Sequence, residues 1–389
     1  MTILAPRSAP PQPAPAPVDF AFLVHPRTEV AADVGKVCRP LGLLPSSLYE
    51  KAFGRFRVPP FSMATAALAA EPDRTVGRIV FVPLTPRQLL TEPRLAEDRI
   101  TAAVDSAVRQ GVGIVGLGAL TAPAAQGGEL FRGRTDVGIT NGNAFTAAVT
   151  AESVLRAAAS APRPGIALVG ASGSVGSAVA RLLARAGVPE LLLVGRTPST
   201  LAALARDLED LGPGAVRTSL DIADVRTAGL VVLLTSATGA LLRSEHLGPD
   251  TVVIDDTQPR NTSPDLLRER PDVVVLDGGI VETPGVVRRG GSIGLPRTQS
   301  YACLAETTLL GLAGHCGHGT LGRPSLPEVD RLIRLSARFA HLGFNLAAPT
   351  SFGAPVEREF WRRTDPAFSL LAPSVPPLRA DRVVEPVTA

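Results

Sequence analysis

Gly170, Gly173 and Gly176 punctuate the stretch IALVGASGSVGSAVARLL (166–183), lying between an apolar run of strand character and a run with helical spacing. A strand that turns on glycine straight into a helix fits few folds. One glycine permits the tight turn, another lets backbone N–H groups approach a pyrophosphate, and the third lets the helix pack closely. The spacing is G-x-x-G-x-x-G instead of G-x-G-x-x-G, yet it serves the same ends. Short Val/Leu/Ile runs follow at 190–196, 215–220, 229–235, 251–256 and 272–276, with a helical stretch at 198–211. Apolar runs without polar alternation are strands covered by helices on both faces. The region is therefore predicted to be a Rossmann-like, doubly wound parallel sheet that binds a dinucleotide.

Upstream, apolar runs at 19–24, 77–85 and 112–118 alternate with helical patterns at 28–38, 93–110 and 140–160, and APRPG (161–165) breaks the last of these. The predicted class is α/β, with an N-terminal α/β substrate domain followed by the NADP domain. Helices at 298–314 and 327–344 pack back across the cleft. The expected divisions are a disordered Pro-rich arm (1–18), a substrate domain (19–161), the NADP-binding domain (162–295), C-terminal helices (296–346) and an irregular tail (347–389) that holds Phe360 and Trp361.

Hydrophobic residues make up 45% of the 389 and charged residues 19%, enough apolar material for a sizeable core. The 39 basic residues nearly balance the 36 acidic ones without long runs, so no nucleic-acid partner is expected. Three cysteines, Cys38, Cys303 and Cys316, are too few for a disulfide framework and favour a reducing compartment, with the cytoplasm the default. No apolar run approaches the roughly 18 residues a spanning helix needs, so no integral membrane segment is expected. Lys36 and Lys51 are the only lysines, which leaves two candidates for any lysine-based chemistry.

Within the dinucleotide region, Gly170, Ser172, Gly173, Ser174, Val175 and Gly176 form the predicted phosphate cradle. The second strand ends in Gly195-Arg196-Thr197-Pro198-Ser199, where an NAD site usually carries an acid for the ribose 2′-hydroxyl. A cation with hydroxyls suits a 2′-phosphate, so Arg196 and Thr197 point to NADPH. Thr235, Ser236 and Thr238 follow the fourth strand, where the nicotinamide half would pass. Cys303 lies in LPRTQSYACLAE (295–306), whose helix is expected to begin at 297–299, placing the thiol within two turns of the positive end and near Arg297. That setting favours a thiolate. The alternative is an inert core thiol between Ala and Leu. Glu306 shares the helix face of Cys303, as an acid or as the structural partner of an Arg. His315, Cys316 and His318 cluster locally without a fourth ligand, and no metal site is read from them.

Seven motifs in order, GIVGLGALT (113–121), ITNGNAFTAA (139–148), VGASGSVGSAVARLL (169–183), LLVGR (192–196), VVIDDTQPRN (252–261), VVLDGGIVE (274–282) and LPRTQSYACLAETTLL (295–310), resemble the cyanobacterial-type long-chain acyl-[acyl-carrier-protein] reductases over residues 19–345. The resemblance implies NADPH-dependent reduction of an acyl thioester to an aldehyde, with Cys303 as acyl-accepting nucleophile. It also implies an acyl carrier protein or acyl-CoA as donor, and an aldehyde-consuming enzyme downstream. Thr140, Asn141, Asn143 or the amides around Gly278-Gly279 are candidate oxyanion stabilisers, with helix capping the alternative role for the two asparagines. Arg288, Arg289 and Arg297 offer a basic mouth for an acidic carrier. The sequence departs from a lipid-lining pattern after Thr121, where it reads APAAQGGELFRGR, and this leaves the acyl chain undetermined.

Other readings remain. A shikimate/quinate-like NADP-dependent alcohol dehydrogenase has the same two-part layout but uses a Lys and Asp pair, which neither lysine here supplies convincingly. A glutamyl-tRNA reductase would rely on Cys38 and a basic surface. A non-catalytic NADP-binding sensor is separated from an enzyme only by the surroundings of Cys303.

Overall fold

A computed structural model of the chain describes residues 18–26, 30–31, 39–237, 239–356 and 370–371. Most of the Pro-rich arm, most of the helix expected at 28–38, Lys36, Cys38, Thr238, Phe360 and Trp361 lie outside them.

Two six-stranded sheets carry the molecule. The first contains β1 (Phe20–Val24), β2 (Phe61–Leu68), β3 (Thr75–Phe81), β4 (Ile114–Leu117) and β5 (Gly138–Thr140). The second contains β6 (Ile166–Val169), β7 (Glu190–Val194), β8 (Ala215–Ser219), β9 (Leu230–Leu233), β10 (Val252–Asp255) and β11 (Val274–Asp277). All pairings in the second sheet are parallel, and its order is β11-β10-β9-β6-β7-β8. This is the 3-2-1-4-5-6 order of a doubly wound dinucleotide fold, whose switch point falls between β6 and β9. The four central strands are buried, as their unbroken apolar runs require.

The first sheet is mixed. Its parallel core of β3, β1, β4 and β5 is extended by β2, antiparallel to β3, and by β13 (Val286–Gly290), antiparallel to β2. The alanine-rich FSMATAAL of β2 lacks the β-branched signal of a strand and is held by its neighbours on both edges. β13 falls inside the span assigned by sequence to the NADP domain, so the chain recrosses to the first sheet before residue 295. A small antiparallel sheet of β12 (Ile280–Glu282), β14 (Gln299–Tyr301) and β15 (Asn345–Leu346) lies along that crossing.

Helix α1 (Pro93–Val108) covers the first sheet, and α2 (Asn143–Ala158) packs on α3 (Ser174–Arg185), the helix after the glycine turn. Helix α4 (Pro198–Glu209) follows β7. Helix α5 (Ala302–Leu312) crosses β1, β4 and α2, while α6 (Leu326–Arg338) packs on α2 and α3. The C-terminal helices thus tie the two sheets together. Arg185 of α3 makes a two-pronged bond to Asp330 of α6, at 2.9 and 2.7 Å. Phe20, Phe145, Leu168, Val179 and Leu309 belong to one continuous core spanning both units. The tail, expected to be irregular, contains a hairpin of Thr350–Ser351 and Ala354–Pro355. Asp277 at the end of β11 holds it, accepting from Thr350 Oγ1 at 2.7 Å, Phe352 N at 2.9 Å and Gly353 N at 2.8 Å.

Candidate active site

The glycine turn is sterically committed. Gly170 has φ +87°, and an added methyl there would lie 2.8 Å from the Leu234 carbonyl after β9. A methyl on Gly176 would lie 2.3 Å from the Gly170 carbonyl. Both positions need glycine, which brings the turn against the neighbouring strand and opens α3 with Gly173 as its N-cap. Ser174, the first residue of α3, donates its hydroxyl to the Gly322 carbonyl at 2.8 Å and receives Asn143 Nδ2 at 2.8 Å. Val175 packs against the core beside the turn. Ser172 faces the β7 end, its Oγ 3.2 Å from where a methyl on Gly195 would sit. Arg196 and Thr197 are exposed beyond β7, and Thr197 caps α4 without a side-chain bond. Thr235 lies after β9 as expected, but its hydroxyl donates to Asn261 Oδ1 at 2.6 Å and accepts from Ala237 N at 3.0 Å, while Ser236 is exposed.

Cys303 is the second residue of α5, whose helix begins at Ala302 and not at 297–299. Residues 299–301 are taken by β14, which pairs with β12 and overrides the local helical pattern. The cysteine is consequently nearer the helix start than the sequence suggests. Gly142 adopts φ +75° against it, and a methyl there would lie 2.3 Å from Cys303 Cβ. Gly142 and Asn143 therefore bridge the cysteine to Ser174 of the glycine turn. Cys303 as a residue is half-buried, and burial pushes its thiol up to about 12, with Asp256 and Glu306 adding to the rise. The expected resting thiolate is thus corrected: desolvation and two nearby carboxyls outweigh the helix end. Arg297 is not among the charges that act on the thiol; its carbonyl accepts from Arg288 N at 3.2 Å, in the loop before β14.

Asn141 has its side chain in use. Its Nδ2 donates to the carbonyls of Gly127 and Gly322, each at 2.9 Å, and its Oδ1 accepts from Asn143 N at 3.0 Å. Glu306 is fully buried, receiving the Thr140 hydroxyl on one oxygen and Phe145 N at 2.7 Å on the other. It staples α5 to the start of α2, with Thr140 and a backbone amide as hydrogen-bond partners and Arg331 of α6 as the nearby cation. Its carboxyl is raised above the usual range, chiefly by burial. Arg288 is 5% exposed and donates to the carbonyls of Leu295, Pro296 and Gln299, so it secures the loop before α5 and forms no basic mouth. His318 accepts from Ile139 N at 3.2 Å, His315 lies 3.0 Å from the His318 carbonyl, and Cys316 is exposed.

Asp256, directly after β10, was not singled out by the sequence reading. It receives the Thr150 hydroxyl of α2, and its carboxylate packs against Gly279 while its backbone and Cβ pack against Gly278. The Gly279 carbonyl in turn accepts from Ala302 N at 2.8 Å, immediately before Cys303. Burial raises the Asp256 carboxyl to about 6; the Thr150 bond opposes the rise and Asp255 adds to it. The available signal was an acid pair ending a buried strand. Asp255 is spent on Thr257 and on the Asn261 and Thr262 amides, which leaves Asp256 facing the cleft helices.

No family model matches the chain. Among curated proteins it is similar to aminotransferase PigE of Serratia sp. (strain ATCC 39006), with 24% identity over 353 residues, covering 87% of this chain and 41% of that protein. The chain thus spans about two fifths of the relative's length. Among solved structures, quinate dehydrogenase from Corynebacterium glutamicum in complex with NAD aligns with 15% identity and a TM-score of 0.31, covering 61% of this chain and 79% of that one. The iminosuccinate reductase of Paracoccus denitrificans in complex with NAD+ aligns with 22% identity and a TM-score of 0.27, covering 32% and 41%. Likenesses this low carry no weight for activity. The expected membership of the acyl-[acyl-carrier-protein] reductases is overturned, because the curated protein to which the chain is similar is named an aminotransferase. The α/β fold with its Rossmann-like parallel sheet stands. No helix among the described residues is long and apolar enough to cross a membrane.

Proposed function

We propose that the chain is a nicotinamide-dinucleotide-dependent oxidoreductase that reduces a carbonyl-level carbon held at Cys303, with an acyl thioester as substrate and an aldehyde as product. The observation supporting this is the Gly142–Asn143 bridge, one residue against Cys303 and the next bonded to Ser174 of the glycine turn at 2.8 Å. The chain's own residues fit a dinucleotide: Gly170 and Gly176 leave no space for a side chain, and the switch point lies at the same turn. Gly170 to Gly176 would hold the pyrophosphate, and Arg196 a 2′-phosphate, which makes NADPH the proposed form. When bound in reduced form, that group supplies hydride.

Cys303 and Asp256 account for the rest. As Cys303 Sγ bonds to the acyl carbon, the donor's C–S bond breaks and the donor thiol leaves with the cysteine's proton, carried by Asp256. Reduction then breaks the Sγ–acyl bond, and Cys303 regains a proton as aldehyde departs. An acyl carrier protein or coenzyme A would deliver the acyl group, and a further enzyme would consume the reactive aldehyde. The aminotransferase activity in the relative's name is not proposed for this chain, which matches 41% of that protein.

A second reading, an NADP-dependent alcohol dehydrogenase of shikimate/quinate type, draws on a specific observation. Cys303 stays protonated up to about 12, whereas Asp256 titrates at about 6, where an acid-base group for a ketone or alcohol works. The Lys and Asp pair of such enzymes has no counterpart at Asp256, whose partner is Thr150, and Lys51 is exposed on the helix Ser46–Arg55.

Intact-protein mass spectrometry of wild type and C303S with a series of acyl-CoA and acyl-phosphopantetheine thioesters separates the two. An acyl adduct on wild type alone, discharged as aldehyde on adding NADPH, is the expected result. No adduct, together with NADP+-dependent oxidation of a hydroxy acid by C303S, would replace thioester reduction with the alcohol dehydrogenase reading. NADPH binding without any turnover would make the protein a sensor.

A further inference from the structure

The loop between α5 and α6 reaches the dinucleotide unit from outside it. Gly319 N donates to the Ile139 carbonyl and Asn141 N to the Thr320 carbonyl, each at 2.9 Å, fastening the loop to the end of β5. Gly322 then accepts from Ser174 at 2.8 Å, so Arg323 follows directly on a residue bonded to the glycine turn. Arg323 borders an open cavity of about 400 Å³ that is also lined by Ser172, Ser177, Arg181, Thr200 and Asp207. That volume lies within the range of small-ligand sites. Ser172 comes from the glycine turn and Thr200 from the first turn of α4, so the cavity lies beside the carboxyl end of β7, where the adenosine ribose of a dinucleotide sits.

The charges around the cavity are unequal in availability. Arg181 pairs with Asp207 at 2.5 Å and donates to the Ser177 carbonyl at 3.3 Å, so these two residues largely neutralise each other. Among the described residues Arg323 makes no hydrogen bond or ion pair, and its side chain is exposed at the rim. The Thr200 hydroxyl already donates to the Thr197 carbonyl at 2.9 Å, which leaves the Arg323 guanidinium and the Ser172 hydroxyl as donors lining the cavity, a set suited to a phosphate monoester, whose oxygens accept from a planar fork of donors.

We infer that Arg323, with Ser172, binds the 2′-phosphate of NADPH, so that a residue of the C-terminal loop selects the cofactor. The inference rests on the dinucleotide reading and adds a second cation to Arg196. It also joins cofactor choice to the active site, because the same loop bonds Asn141, beside Gly142 and Cys303.

The test is equilibrium titration of wild type, R323Q and R196Q with NADPH, NADH, and adenosine 2′,5′-bisphosphate against 5′-AMP, read by nicotinamide fluorescence and calorimetry. R323Q should bind NADPH and the bisphosphate about ten- to a hundredfold more weakly, the loss of one charge-assisted phosphate contact, with NADH and 5′-AMP unchanged. An unchanged NADPH-to-NADH ratio in R323Q overturns the inference whether or not R196Q alters it. Equal loss for all four ligands would mean that the loop merely supports the glycine turn, which also overturns it. If wild type binds neither dinucleotide, the oxidoreductase reading fails and this inference with it. Thermal melting of R323Q should match wild type, since the replaced side chain is exposed.

Discussion

Replacing Asp256 by Asn tests the electrostatics of the site independently of any substrate. Burial, with a smaller push from Asp255, lifts the Asp256 carboxyl from its ordinary 3.8 to about 6. A displacement of about two pH units is worth about 3 kcal/mol. The sign is unfavourable to folding at neutral pH. Below about pH 4 the carboxyl is protonated in both folded and unfolded chains and costs nothing. Between about 4 and 6 the folded protein holds a proton the unfolded chain has released, and above about 6 it carries the full cost of a poorly solvated charge. Asn keeps the shape and a hydrogen-bond partner for Thr150 without the charge. D256N should therefore exceed wild type in stability by up to about 3 kcal/mol at pH 8, less whatever water reaching the partly exposed carboxylate recovers. The difference should vanish toward pH 4. Urea denaturation at intervals from pH 4 to 8 measures it. A difference independent of pH, or a D256N protein less stable than wild type at pH 8, would refute the placement of this acid. The same variant should form acyl adducts on Cys303 more slowly than wild type.

The other expectations concern the groups around it. Iodoacetamide should modify Cys303 slowly at pH 8 in a C38S/C316S background, its rate rising about tenfold per pH unit to at least pH 10, and a plateau below pH 9 would show a thiolate instead. G142A places a methyl 2.3 Å from Cys303 Cβ in left-handed backbone and should cost about 2–4 kcal/mol in calorimetry, while an unchanged melting temperature would mean the two residues are not in contact. E306Q leaves one buried acceptor of Glu306 without an equivalent and should destabilise by about 1–3 kcal/mol without changing NADPH affinity.

The glycine turn and most strands after it were legible because their signals are local. Gly170 and Gly176 are demanded by backbone positions within seven residues of one another, and the strands are buried on both faces, so their apolar runs are unbroken. Strand β2 was invisible because its alanines gain strand geometry only from β3 and β13. The start of α5 shifted from 297–299 to 302 because β14 pairs with β12, a contact between distant residues that a helical pattern cannot register. Arg288 read as a surface cation, yet the carbonyls of 295–299 enclose it once β13 joins the first sheet.

The sequence by itself determined the parallel α/β class, the phosphate-binding turn, and the presence of one cysteine near a helix start, since each depends on a few neighbouring residues. Only the tertiary structure decided what that cysteine faces. Gly142 and Asp256 come from elements separated by scores of residues, and they meet at Cys303 because α5 folds back between the two sheets. Burial at that junction then sets the protonation of Cys303 and Asp256, because the free energy of a charge depends on the solvent that packing removes.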